Sequence, residues 1–178
     1  MDKNFIIIAL GSNLGERYQN LKTALLALKT KISNINCSNI YSSKALLPPG
    51  SPEEWNHDFY NCVFSGTTEL DLRSLFEFSL DVENTALPKK KLKGTYSPRY
   101  IDIDIIAFND EVFESEVLQI PHRRMCERDF VLFPLADILP EWRYPAKGLN
   151  FQKTALELAQ GLGYNSSNEI KKLNFKVI

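Results

Sequence analysis

The segment RYIDIDIIAF, residues 99–108, decides how the rest of the chain is arranged. Isoleucines alternate with Asp102 and Asp104, so it reads as a strand with one apolar face and one face carrying two carboxylates. Burying both acids without compensation is costly, so a cation is required wherever that face is covered. The same alternation is also met by a strand whose polar face is open to water, and D-x-D by itself does not choose between the two.

Upstream, FIIIAL (5–10) is a short, nearly continuous apolar run, as a central strand with both faces covered has. GSNLGER follows as a turn into a helix, with Asn13 and Glu16 spaced as a capping box and Leu14, Tyr18, Leu21, Leu25, Leu28 and Ile32 forming its apolar stripe. NINCSNIYSSKAL (34–46) and DFYNCVFSG (58–66) are strand-like and flank the loop LLPPGSPEEWN (46–56). Thr67 or Thr68 can cap a second helix, whose stripe Leu72, Phe76, Ser79 and Glu83 includes an acid; that acid is either inward-facing or at a fraying end. ALPKKKLKGTYSP reads as a loop into the strand at 99–108, and NDEVF as a hairpin connection after it. FVLFPLADIL is a short helix expected to break near Pro134, and TALELAQGL (154–162) a small helix stopped by Gly163. The order β-α-β-β-α-β followed by helices predicts an α+β, ferredoxin-like sandwich with a mainly antiparallel sheet and added C-terminal helices.

The 178 residues suit a single domain, 1–178. No apolar run approaches the ~20 residues of a membrane span, and the N-terminus lacks a signal peptide's layout. Cys37, Cys62 and Cys126 are isolated, so reduced thiols and a cytoplasmic location are expected, and with two histidines they offer no zinc framework. With 21 Lys+Arg against 22 Asp+Glu, the balance gives no support to a nucleic-acid or membrane-surface role. Locally the charge is uneven: Lys89, Lys90, Lys91, Lys93 and Arg99 form one basic group, and Arg123, Arg124 and Arg128 another. Either is an ordinary solvated loop unless it converges on the acids.

Such convergence would have a definite chemistry. Two strand carboxylates are hard oxygen ligands suited to Mg²⁺, which keeps waters and is completed by phosphate oxygens. Lysines before the strand and His122, Arg123 and Arg128 after it would then face a polyphosphate, as phosphoryl transfer requires. GSNLG could be an anion-binding nest or merely a turn and cap, and it is not a Walker A loop. His122, Trp55, Phe59, Tyr60 and Phe130 each have ordinary surface or core readings as well.

The combination IALGSNLG (8–15), IYSSKAL (40–46), DFYNCV (58–63), PRYIDIDI (98–105), IPH (120–122) and RDFVLFPL (128–135) resembles the 6-hydroxymethyl-7,8-dihydropterin pyrophosphokinase family over roughly residues 5–145. The resemblance implies transfer of pyrophosphate from ATP to the dihydropterin hydroxymethyl group, with release of AMP, in folate biosynthesis. It implies two Mg²⁺ ions on Asp102 and Asp104, triphosphate contacts from Arg99, His122 and Arg128, and a catalytic loop containing Lys90 and Lys91. Glu83, Lys93, Ile105 and Arg123 fall with the nucleotide; Ser43, Ala45, Leu46, Phe59, Asn61 and Phe130 fall with the pterin, stacked between the two phenylalanines. A monomer acting on ATP and the dihydropterin, without nucleic acid or membrane, is implied. The chain departs from the family pattern where PKKKLKGTYSPR replaces an arginine-rich loop, with Thr95 at an arginine position. A catalytically weakened nucleotide- or pterin-binding relative is the alternative that this departure raises.

Overall fold

β1 (Asn4–Ser12) lies inside the sheet because both of its faces are apolar. The computed structural model describes residues 3–87, 97–163 and 170–178. Ile6, Ile8 and Leu10 pack on α1 (Arg17–Leu28) and α2 (Leu72–Thr85), with Leu21, Leu25, Leu75 and Val82. Ile7 and Ala9 pack on the opposite layer, α3 (Asp129–Ile138) and α4 (Ala155–Gly161), with Val131, Leu132, Leu135 and Ala159. The unbroken apolar run is thus a consequence of a sheet covered on both sides.

β1 is flanked by β4 (Phe59–Thr68) and β5 (Asp102–Phe108), both antiparallel to it. β2 (Ile32–Cys37) and β3 (Asn39–Ser43) succeed each other along the far side of β4. Counted as one interrupted strand, they give the spatial order fourth, first, third, second that a ferredoxin-like layout has. The single strand expected over 34–46 is interrupted at Ser38, whose N–H donates to the Val63 carbonyl (2.9 Å) while its Oγ accepts the Val63 N–H (3.0 Å). β6 (Phe113–Glu114) and β7 (Gln119–Ile120) form a separate ribbon. NDEVF therefore leads out of the main sheet into that ribbon and does not close a hairpin on β5.

Both expected helix caps are corrected. α1 has no side-chain cap, because Asn13 is engaged elsewhere, and α2 is capped by Asp71, whose Oδ1 accepts the Ser74 N–H at 2.7 Å. Thr67 and Thr68 remain in β4, where the Thr68 hydroxyl donates to the Lys31 carbonyl. Pro134 does not break α3: the bond its missing N–H forfeits is outweighed by the burial of Val131, Leu132, Phe133 and Leu135. Thr154 and Glu157 make a full capping box for α4, and Gly163 follows that helix at φ +80°. No element is expected from sequence at the C-terminus, yet β8 (Lys171–Lys176) adds to β3 as an edge strand. Its apolar residues alternate with polar ones: Leu173 and Phe175 turn toward the α1 side, followed by buried Val177, while Lys172 reaches Asp137 on the opposite side, so the sequence does hold a period-two signal, which the expectation leaves out.

β2 crosses β4 closely enough that Gly66 has no room for a side chain: a Cβ there would meet Ile32 Cγ2 at 2.8 Å and the Ser33 carbonyl oxygen at 3.0 Å. Gly66→Ala is expected to destabilise the protein by about 1–3 kcal/mol, measured by chemical denaturation.

Candidate active site

α3 covers only part of its sheet face, over Tyr41, Val63, Ile7 and Ala107, and the remainder is an open cleft of about 820 Å³. Strand register places the cleft floor. Gly11 of β1 is paired on one side with Asn61 of β4 and on the other with Asp102 of β5, while Ala9 is paired with Asp104. Ser43 is paired with Phe59 on β4. Because Ile103 and Ile105 turn toward the α1/α2 core, both acids turn toward the cleft. The alternation in RYIDIDIIAF reflects a half-covered face rather than a solvent-facing one.

The cations required over that face come from opposite flanks. Arg99 Nη1 lies 3.0 Å from Asp102 Oδ1, and Arg128 Nη1 lies 3.2 Å from Asp104 Oδ2. Asp104 is the more confined acid: burial first, and then the neighbouring Asp102, raise its pKa to about 6, against the pull of Arg128 and Arg99. His122 is driven the other way, to about 4, by burial and then by Arg128, so the ring is neutral at neutral pH. Its Nδ1 accepts the Arg124 N–H (3.3 Å), which leaves the ring proton on Nε2, 3.8 Å from Asp104 Oδ1. The His122 N–H donates to the Ile106 carbonyl at 2.9 Å and fastens this loop to β5.

At the other end of the cleft, Asn61 Nδ2 donates to Ser43 Oγ at 2.9 Å, which fixes the amide and leaves Oδ1 as an acceptor. Phe59 and Phe130 line the same space, with Ala45 and Leu46 at its rim. The Arg128 guanidinium lies 5.5 Å from the Phe130 ring centroid. Its Nε is buried and is the one such side-chain atom among the described residues that lacks a hydrogen-bond partner. A buried N–H donor left open in a polar cleft suits an anionic oxygen.

A second cavity, of about 240 Å³, opens along the outer edge of β5 beside Ile105, His122 and Arg123, and Asp104 lines both cavities. Arg123 is held by Gln119 Oε1 at 2.8 Å. Glu83 lines neither cavity. Its Oε1 accepts the Ile103 N–H at 2.6 Å from behind the acid strand, so it is not at a fraying end. Burial, opposed by this hydrogen bond and reinforced by Asp102 and Asp104, raises its pKa to about 7.

The two cavities and the segment between them therefore bring together Ser43, Ala45, Leu46, Phe59, Asn61, Arg99, Asp102, Asp104, Ile105, His122, Arg123, Arg128 and Phe130. Lys90, Lys91, Lys93 and Thr95 lie outside the described residues. Sequence reasoning missed three participants. Arg124, visible only as one member of a basic group, lines the cleft and pairs with Glu127 at 3.2 Å. Gly11 forms the floor. Asn13, expected as a cap, is buried and accepts the Arg99 N–H on Oδ1 (2.8 Å), while its own N–H donates to the Arg99 carbonyl (3.2 Å) and its Nδ2 to the His57 carbonyl (3.4 Å). It thereby ties together the segments that enter β5 and β4.

Among the described residues no group of three or more His, Cys, Asp and Glu is placed to cage a metal. Asp102 and Asp104 nonetheless fit a hard divalent cation that arrives with ligands of its own: they are two carboxylates on one face, and burial and mutual repulsion hold Asp104 ready to accept positive charge.

Fold and cleft define a ferredoxin-like α+β protein whose acid pair separates an aromatic, amide-bearing pocket from an edge-strand pocket. The family model for 7,8-dihydro-6-hydroxymethylpterin-pyrophosphokinase matches residues 7–140. The chain belongs to this pyrophosphokinase family. A Synechocystis 2-amino-4-hydroxy-6-hydroxymethyldihydropteridine pyrophosphokinase is 33% identical over 156 residues, covering 86% of this chain and 74% of that protein. The Bacillus subtilis protein of the same name is 36% identical over 137 residues, 76% of this chain and 78% of its own length. A Chlamydia muridarum folate synthesis bifunctional protein is 39% identical over 160 residues, but the chain spans only 35% of that protein's length. Among solved structures, Plasmodium falciparum HPPK-DHPS with pteroate matches 96% of this chain and 48% of its own, at a TM-score of 0.72 and 16% identity, a likeness of fold. Among the described residues no helix is long and apolar enough to cross a membrane.

The Glu83 shift has a testable sign. Between the usual glutamate value of 4.5 and about 7, the folded chain holds a proton that the unfolded chain has released, so this group makes stability fall as pH rises through that window. His122, shifted down, acts oppositely between about 4 and 6.5. Glu83→Gln keeps an acceptor for Ile103 and removes only the first effect. In chelator-containing buffer, its melting temperature relative to wild type is expected to rise by a few degrees between about pH 5 and pH 8, followed by thermal unfolding.

Proposed function

We propose that this chain transfers a diphosphoryl group from ATP to the hydroxymethyl oxygen of 6-hydroxymethyl-7,8-dihydropterin, releasing AMP, in folate synthesis. The observation that carries the reading is the acid pair at the junction of two unlike cavities, one with aromatic rings and a fixed amide, the other at an open strand edge. A flat heterocycle gains from the faces of Phe59 and Phe130, and Asn61 Oδ1, held by Ser43, accepts from its amide-like edge. In the edge pocket, Ile105 follows Ile103 by two residues, so its N–H and carbonyl also face outward, toward the adenine.

Asp102 and Asp104 would hold two Mg²⁺ ions brought with ATP; bound there, Mg²⁺ neutralises charge on the phosphate oxygens and aligns them. Arg99 and Arg128, which neutralise the acids when no cation is bound, can then turn toward the polyphosphate, and Arg128 Nε offers it a donor that no described residue engages. His122, neutral and protonated on Nε2, donates without adding charge. Lys90, Lys91 and Lys93 supply further positive charge. The hydroxymethyl oxygen forms a bond to the β-phosphorus, the bond from that phosphorus to the α,β-bridging oxygen breaks, and AMP departs with that oxygen. The alcohol's proton passes to solvent. Orientation and electrostatics carry the reaction, so no strong general base is required. Residues 1–178 act as one cytoplasmic, monomeric pyrophosphokinase domain on these two small molecules.

Incubation with Mg·ATP and the dihydropterin is expected to yield AMP only when the pterin is present; ADP, or no turnover, overturns the proposal. Asp102→Ala and Asp104→Ala should each lower turnover by at least about a hundredfold. Replacing Lys90 and Lys91 by alanine should slow single-turnover chemistry more than it weakens pterin binding.

A further inference from the structure

Gly11 opens the GSNLG turn, and neither reading of that turn, anion nest or helix cap, explains why a glycine stands there. The backbone does not require it. Gly11 is a strand residue and is absent from the positive-φ glycines, so an L-residue can adopt its conformation. Glycine within a strand weakens it and commonly marks a close approach of ligand or backbone. The approach here is to the cleft. A Cβ at position 11 would stand 3.1 Å from Asn61 Oδ1, 3.5 Å from Phe59 Cδ1 and 3.8 Å from Asp102 Cβ. All three neighbours are cleft side chains; none is backbone or core. The closest is the oxygen that Asn61 leaves open, and its amide cannot turn away without loosening its bond to Ser43.

Gly66 shows the opposite case in the same sheet. A Cβ there strikes an Ile32 side chain and the Ser33 backbone, and Gly66 lines neither of the two cavities described, so its glycine serves strand packing.

We infer that Gly11 is a specificity-determining position: the flat ring of the substrate lies across its Cα, spanning Asn61 and the acid pair, and any side chain at position 11 lifts the ring from the sheet. This rests on the pterin reading of the cleft. A methyl group at position 11 fills the space the ring occupies and pushes Asn61 Oδ1 out of line, while the edge pocket on the far side of β5 is left alone.

The test is equilibrium binding of 6-hydroxymethylpterin, an oxidised form of the substrate, in Mg²⁺ and a non-hydrolysable ATP analogue that prevents turnover. Wild type, Gly11→Ala and Gly66→Ala are compared, with analogue affinity and melting temperature measured separately. Gly11→Ala is expected to bind the pterin about tenfold or more weakly, to bind the analogue as wild type does, and to melt within a few degrees of it. Gly66→Ala is expected to melt lower and, below its transition, to keep both affinities. Equal pterin affinity in wild type and Gly11→Ala overturns the inference and leaves the functional reading standing. Failure of the wild-type chain to bind the pterin overturns that reading and the inference with it. A Gly11→Ala chain that does not fold, or that loses both ligands equally, also overturns the inference, because the glycine would then serve the sheet.

Discussion

Two carboxylates projecting from one strand onto a partly covered sheet face set the terms for everything around them. Neither Asp102 nor Asp104 can be left against apolar neighbours alone, and the chain answers with one guanidinium from each side. Arg99 precedes β5 itself. Arg128 stands at the start of α3, so the same residue that neutralises Asp104 also marks where the covering helix begins. The helix layer cannot extend further along this face without burying the acids, and the cleft exists because it does not.

Around that constraint the supporting contacts come from backbone as much as from side chains. Asn13 grips Arg99 through two bonds to its main chain and reaches His57 with a third, so the entry to the acid strand and the entry to β4 move together. From behind, Glu83 holds the Ile103 N–H midway between the two acids. A strand pinned at both points can place its carboxylates reproducibly, which is what reaction by orientation depends on.

The sheet and its helices were legible wherever one physical signal dominated. The unbroken FIIIAL run required two covered faces, and the stripe of α1 required one. Asp102, Asp104, Arg99 and Arg128 were legible for a related reason: charges set inside or beside apolar elements call for partners. Other features were hidden because they exist only across strands. Nothing within GSNLG distinguishes an Asn13 that caps a helix from one that clasps Arg99, 86 residues away. Gly11 acquires meaning only when register sets it between Asn61 and Asp102. β8 is a different case: Leu173, Phe175 and Val177 alternate with Lys172, Asn174 and Lys176, a period-two signal that was present in the sequence and passed over.

The two margins of the sheet differ in a way that bears on how the protein behaves at high concentration. Strand margins with unsatisfied amides invite strand addition from other molecules. At the β8 margin, Lys171 and Lys176 make such addition electrostatically unfavourable, while Lys172 is paired with Asp137. At the β5 margin, the Glu83 carboxylate occupies the Ile103 amide and the His122 amide occupies the Ile106 carbonyl. Among the described residues, what stays open between them is a gap around Ile105, too short to template another chain. The contacts that hold the acid strand in place thus also keep the sheet from growing at this edge.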